Sequence, residues 1–219
     1  GYGDPHGALE LRKSVCDYLQ AARGVRCEPE EVVVTAGTQQ AVDIIARVIQ
    51  SADKEVWIED PGYSLTRLAL VAAGVKVCPI PVDHNGINVT EGIRRAPKGR
   101  AVFITSSHQF PKGVALSMAR RLELLAWARE SGAWIVEDDY ASEFRYGGRP
   151  LASLQGLDEA ERVIYVGTLN KHSDGTKTIS LRSCNGVSVS RVWGANGPGH
   201  EGRVRSRLSS FRGRVLALG

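Results

Sequence analysis

The chain has 219 residues, 42% hydrophobic and 24% charged, with a net charge of +4, the proportions of an ordinary soluble protein of one large or two small domains. No apolar run approaches the roughly 20 residues that cross a bilayer and no basic-then-apolar leader opens the sequence, so no membrane association and a cytoplasmic location are expected. Cys16, Cys27, Cys78 and Cys184 are scattered without paired short spacing, a pattern of idle thiols that argues against a zinc site or a disulfide framework.

Residues 7–23 carry Leu11, Val15, Tyr18, Leu19 and Ala22 at three- and four-residue spacing, an amphipathic helix stopped by Gly24. Residues 31–35 read as a short buried strand, and the turn at residues 36–40 enters a helix bearing Val42, Ile45, Val48 and Ile49. A strand at residues 55–58 ends in Glu59-Asp60-Pro61-Gly62-Tyr63, and a helix over residues 65–73 stops at Gly74. Residues 75–82 form a further strand, and Asp83 to Gly86 turn the chain. A weak helix near residues 89–95, a strand at 101–105, the loop 106–113 and a strong helix at 117–131 follow. Two apolar runs then end in polar clusters: residues 133–140 in Glu137-Asp138-Asp139-Tyr140, and residues 163–166 in Gly167-Thr168-Leu169-Asn170-Lys171.

Strand and helix alternate, and the strands are near-continuous apolar runs. The expected fold is therefore α/β, a mostly parallel sheet with helices on both faces. Ligands of such sheets sit at the carboxyl ends of the strands. Five polar clusters fall there: Gly37-Thr38-Gln39, Asp60 to Tyr63, His108-Gln109, Asp138 to Tyr140, and Thr168 to Lys171. The Gly37 turn can receive a phosphate at a helix start or simply begin a helix. Asp60 to Tyr63 is first of all a turn, and Tyr63 can also offer an aromatic ring a flat platform. Adjacent Asp138 and Asp139 repel each other, so one of them should face a cation or a basic ring nitrogen. His108 reads as a structural histidine. Lys171, beside an apolar wall, is a candidate amine for attack on an aldehyde.

Together these residues resemble the fold-type I pyridoxal phosphate family, the class I/II aminotransferases, and within it the aminotransferase-like domain of MocR-type GntR-family transcriptional regulators. The matching segments are Tyr2-Gly3-Asp4-Pro5-His6-Gly7 with Leu11-Arg12, Thr35-Ala36-Gly37-Thr38-Gln39-Gln40-Ala41, and Glu59-Asp60-Pro61-Gly62-Tyr63. Further along come Ser107-His108-Gln109-Phe110-Pro111-Lys112-Gly113, Glu137 to Tyr146, and Tyr165 to Lys171. The resemblance implies pyridoxal 5'-phosphate as cofactor. It makes Lys171 the catalytic lysine that bonds the cofactor aldehyde, Asp138 the partner of the pyridine nitrogen, Tyr140 the partner of the ring hydroxyl, and Tyr63 the stacking residue. Gly37, Thr38, Gln39 and Thr168 form the phosphate cup, with His108 and Gln109 in the loop beside the ring.

The likeness covers residues 1–171, expected as a partial large domain. In the family an arginine follows the lysine by about seven or eight positions, after a Leu and a Pro; here Thr178 and Ile179 stand there. Residues 172–219 have eight Gly, eight Ser and eight basic residues against Asp174 and Glu201. That stretch is expected to be a disordered or out-of-register tail, with only residues 204–218 able to make a poor helix. A reading frame shifted after Lys171 would explain it, and should then restore a Leu-Pro-Arg-Gly pattern. The first reading is a regulator domain that senses an amino compound through the Lys171 aldimine, in a parent protein that is a homodimer and binds DNA through an upstream winged helix absent here. The second is a free-standing aminotransferase, and the third an inactive truncated remnant. A basic nucleic-acid-binding tail is the least favoured, because aromatics are few.

Overall fold

The computed structural model describes residues 4–51, 53–140, 152–168 and 215–218. The strands are β1 (Val32–Thr35), β2 (Glu55–Asp60), β3 (Lys76–Asp83), β4 (Gly86–Ile87), β5 (Ala101–Ile104), β6 (Trp134–Asp139), β7 (Val163–Thr168) and β8 (Val215–Leu218). The helices are α1 (Leu9–Arg23), α2 (Thr38–Ile49), α3 (Ser64–Ala72), α4 (Val89–Arg95), α5 (Met118–Ser131) and α6 (Leu154–Leu157). One sheet contains all eight strands in the order β1-β8-β7-β6-β5-β2-β3-β4. Every pairing is parallel except β3 with β4. The chain is thus an α/β protein with a mostly parallel sheet covered on both faces.

The two faces have separate cores. Val56, Ile58, Phe103, Val136, Ile164 and Val166 meet α2 and α3 on one face. Trp57, Val102, Ile104, Ile135 and Val163 meet α4, α5 and α6 on the other, and Tyr165 joins α1. Strand residues alternate strictly between these layers, as the two-residue period of a pleated strand requires. Trp57 is fully buried, stacks on Trp127 at 4.0 Å between ring centroids, and donates to the carbonyl of Ala96 at 3.1 Å. Gly92 of α4 lies over the same ring: a Cβ there would stand 2.4 Å from Trp57 Cζ3. Gly92→Ala should therefore destabilise the protein by about 1–3 kcal/mol despite alanine's better helix propensity. Equilibrium urea unfolding measures this directly.

α1 differs from its sequence expectation in rotation. Its buried stripe is Arg12, Val15, Cys16, Leu19 and Arg23, and Tyr18 is exposed. Two arginines turn inward because each finds hydrogen-bond acceptors there. Arg12 donates to Asp4 at 2.6 Å and to the carbonyls of Gly7 and Pro29. Arg23 reaches the functional edge of the sheet. Gly24 closes the helix at φ +66°, its N–H donating to the Gln20 carbonyl and that of Val25 to Leu19, the paired bonds of a glycine-terminated helix. Cys16 and Cys27 are free thiols with their sulfurs 3.2 Å apart, and burial raises both thiol pKa values.

The reading of residues 204–218 as a poor helix is corrected at its end. Val215–Leu218 is strand β8, between β1 and β7 and hydrogen-bonded to both. The open backbone groups of two neighbouring strands take precedence over a weak helical tendency. Lys171, Thr178, Ile179 and the rest of residues 169–214 lie outside the described residues. No described helix is long and apolar enough to cross a membrane.

Candidate functional site

β6 presents its acidic end to both faces of the sheet at once. Val136 and Asp138 point to the α2/α3 face, where both line a cleft. Glu137 and Asp139 point to the opposite face and are buried there. Glu137 accepts from Ser106 Oγ at 2.6 Å and from the backbone N–H groups of Leu154 and Gln155 at 3.0 and 3.1 Å. It thereby holds the start of α6 against the strand. Burial raises its pKa, and the nearby Asp139 charge raises it further.

Asp139 is the acid that meets the cation. Arg23 Nε and Nη2 approach its Oδ2 at 2.8 and 2.7 Å, and Tyr165 Oη donates to the same oxygen at 2.7 Å. Arg23 also donates to Ser107 Oγ at 3.0 Å. The Tyr165 phenol is pushed well above its ordinary pKa by burial first and the Asp139 charge second. One of the two adjacent aspartates is thus neutralised from behind, and Asp138 is left to the cleft. The repulsion noted in the sequence is solved by the strand's alternation.

The cleft has a volume of about 210 Å³ and opens at the carboxyl ends of β2, β5, β6 and β7. Its walls are apolar, from Val42 of α2, Ile58, Phe103, Val136 and Val166; Asp138, Glu59 and Thr105 supply polar groups, and Tyr63, Asp60 and Arg67 stand at the α3 side. Tyr63 is 44% exposed, so part of it is open to a partner, and it contacts Phe110 edge-on at 6.1 Å. Gly62 makes the turn that aims Tyr63: a Cβ there would lie 2.4 Å from the carbonyl oxygen of Glu59.

The loop after β5 closes this edge through hydrogen bonds. Gln109 is buried, and its amide donates to the carbonyls of Pro61 and Phe110 at 2.8 and 2.6 Å and to Glu59 Oε2 at 3.4 Å. Its side chain is committed to joining this loop to the Asp60–Tyr63 turn. The Tyr140 hydroxyl donates to the backbone carbonyl of His108 at 3.0 Å, so His108 meets Tyr140 through its main chain. Burial, with the charges of Asp138 and Glu59 close by, raises the Tyr140 pKa. Tyr63, His108, Gln109, Asp138 and Tyr140 are therefore brought to one region.

Gly37, Thr38 and Gln39 flank it at the start of α2, whose next turn supplies Val42 to the cleft. Gly37 has φ +148°, a conformation that favours glycine, and α2 starts there without a capping side chain. Thr168 ends β7, two residues past Val166. Sequence reasoning missed Glu59 and Arg23. Their significance lies in contacts with residues 50 and 116 positions away, which no local pattern signals. Among the described residues, no group of three or more His, Cys, Asp or Glu side chains could hold a metal ion.

The profile of the aminotransferase class I and II family matches residues 1–173, and the chain belongs to that family. It is similar to the protein named probable rhizopine catabolism regulatory protein MocR of Rhizobium meliloti, 44% identical over 171 residues, which are 78% of this chain and 34% of that protein. It is also similar to the uncharacterized HTH-type transcriptional regulator YdeL of Bacillus subtilis, 42% identical over 165 residues, covering 75% of this chain and 35% of that one. Among solved structures, the kynurenine aminotransferase of Pyrococcus horikoshii superposes with a TM-score of 0.70 at 31% identity, over 78% of this chain and 44% of the other. The chain thus spans about a third of the length of these regulators.

Proposed function

We propose that this chain is the greater part of the large domain of a pyridoxal phosphate-binding, aminotransferase-like domain, and that its parent is a MocR/GntR-type regulator sensing an amino compound. The observation that carries this reading is the cleft, which an acid, Asp138, and a partly exposed tyrosine, Tyr63, line together between apolar walls. That donor set fits a flat, positively charged aromatic ring: Asp138 for the ring nitrogen, and Tyr63 for the ring face. The greater identity to regulators than to the solved aminotransferase favours sensing over turnover.

When bound, the cofactor supplies an aldehyde that exchanges between a lysine and an incoming amine, and a ring that withdraws electrons. Asp138 holds the proton on the ring nitrogen. Tyr140, its hydroxyl oriented by the His108 carbonyl, would hold the ring hydroxyl. Gly37, Thr38, Gln39 and Thr168 receive the phosphate at the start of α2, where the helix end favours an anion. His108 and Gln109 position the loop beside the ring. Lys171, three residues beyond Thr168, is the amine that the cofactor engages. A free-standing aminotransferase would use the same residues, with Lys171 moving the substrate proton.

In the parent protein, DNA contact falls to an upstream winged helix and the domain dimerises. The exposed Leu65, Leu68 and Val71 of α3, beside the cleft, offer apolar area for the dimer. Adding pyridoxal phosphate to the full chain should produce a long-wavelength absorbance band that Lys171→Ala abolishes. A flat spectrum from folded wild-type protein would overturn the reading, and so would a band unchanged in the variant.

A further inference from the structure

Glu59 is the buried acid lining the cleft that the reading above leaves without a task. It is the penultimate residue of β2 and lines the same cleft as Asp138. Its Oε2 is 3.4 Å from the Gln109 amide, and its Oε1 is buried with no hydrogen bond of normal length. A buried carboxylate oxygen in that state is costly, and a carboxyl group meets the cost by keeping its proton until a positive partner arrives.

The charged and titratable groups around it are known. Asp138 faces it from β6, Tyr140 from the residue after β6, and Asp60 is its neighbour in β2. Arg67 and Tyr63 line the same cleft from the α3 side. Thr105 and Gln109 are its neutral neighbours. Burial pushes the Glu59 pKa up to about 8; Thr105 and Gln109 pull it down, and the Asp138 charge adds to the rise.

We propose that Glu59 is a second ligand-recognising carboxyl of the cleft, one that gives up its proton when a cationic ring docks against Asp138, so that binding is linked to proton release. The inference rests on the reading of the cleft as a pyridoxal-type site. The sign follows from the geometry. Glu59 is already buried, so an entering ring adds little further desolvation. The ring does bring a positive charge and cancels the repulsion from Asp138. Both changes favour the ionised form. The proton passes from the Glu59 carboxyl to bulk buffer, and no other bond changes. Affinity should then rise with pH while Glu59 is protonated in the free protein and ionised in the complex, and level off once it is ionised in both.

The probe is pyridoxamine phosphate, which cannot condense with a lysine and so removes that source of protons. Its binding to the full chain is measured by calorimetry at about pH 7 in two buffers of different ionisation enthalpy. The wild-type chain should release about one proton more than Glu59→Gln, and its affinity should climb up to about tenfold per pH unit more steeply. Equal proton counts would overturn the inference while leaving the cofactor site intact. Absence of any binding heat in the wild-type protein would overturn the site reading, and this inference with it. Should Glu59→Gln fail to fold, the infrared difference spectrum of the wild-type chain decides. Loss of a protonated-carboxyl band on adding pyridoxamine phosphate supports the inference, and a band that persists overturns it.

Discussion

Asp138→Ala should weaken pyridoxal phosphate binding by about 10- to 100-fold and leave the fold in place. The side chain lines the cleft, and the stability of β6 comes from Val136, Ile135 and the buried Glu137 and Asp139. Its removal takes away a charge-assisted hydrogen bond to the ring nitrogen, worth about 1.5–3 kcal/mol, and each ~1.4 kcal/mol is a factor of ten in affinity. Asp138→Asn should fall between the two, because an amide keeps the shape and loses the charge. Equilibrium dialysis against pyridoxal phosphate, with circular dichroism to verify folding, makes the comparison. Affinity unchanged in Asp138→Ala would take this residue out of the site.

The second large effect concerns the opposite face of the same strand. Arg23→Met should destabilise the protein by about 3–5 kcal/mol, because it leaves Asp139 as a buried carboxylate without its cation. For a chain of this size that lowers the melting temperature by on the order of 10 °C. The penalty belongs to the stranded charge more than to the lost arginine. Arg23→Met combined with Asp139→Asn should therefore recover most of the stability, with Tyr165 still able to donate to the remaining side-chain oxygen. A double variant no more stable than the single one would assign the loss to packing of the α1 terminus instead. Chemical denaturation of the two variants beside wild type separates these outcomes.

Much of this architecture is legible in the chain itself. Strands buried on both faces read as unbroken apolar runs, so β1, β2, β3, β5, β6 and β7 can each be located within a few residues from the sequence. Gly24, Gly74 and Gly132 mark helix ends because their positive φ values suit glycine. Short elements escape this kind of reading. β4 has two residues and α6 has four, too few to show any period. β8 is chosen by the strands on either side of it, information that lies about fifty and a hundred and eighty residues away in the chain. Tyr63 and Asp138 were visible because each lies in a recognisable cluster at or just past a strand end. Glu59 was visible only as part of a turn, since its burial depends on Gln109 and Thr105. The inward turn of Arg12 and Arg23 ran against the apolar pattern of α1, and only their hydrogen-bond partners explain it.

The alternation along β6 makes the site intolerant of one kind of change in particular. Substitutions in Trp134–Asp139 act one side chain at a time, but a single-residue deletion or insertion upstream in the strand would exchange the two faces wholesale. Glu137 and Asp139 would then turn into the cleft, their arginine and helix-start partners would face Asp138 alone, and both layers of core would receive the wrong residues. Length changes should consequently be confined to the loops between strands, and a survey of natural or selected variants of this chain should find residues 134–139 free of gaps even where individual letters differ.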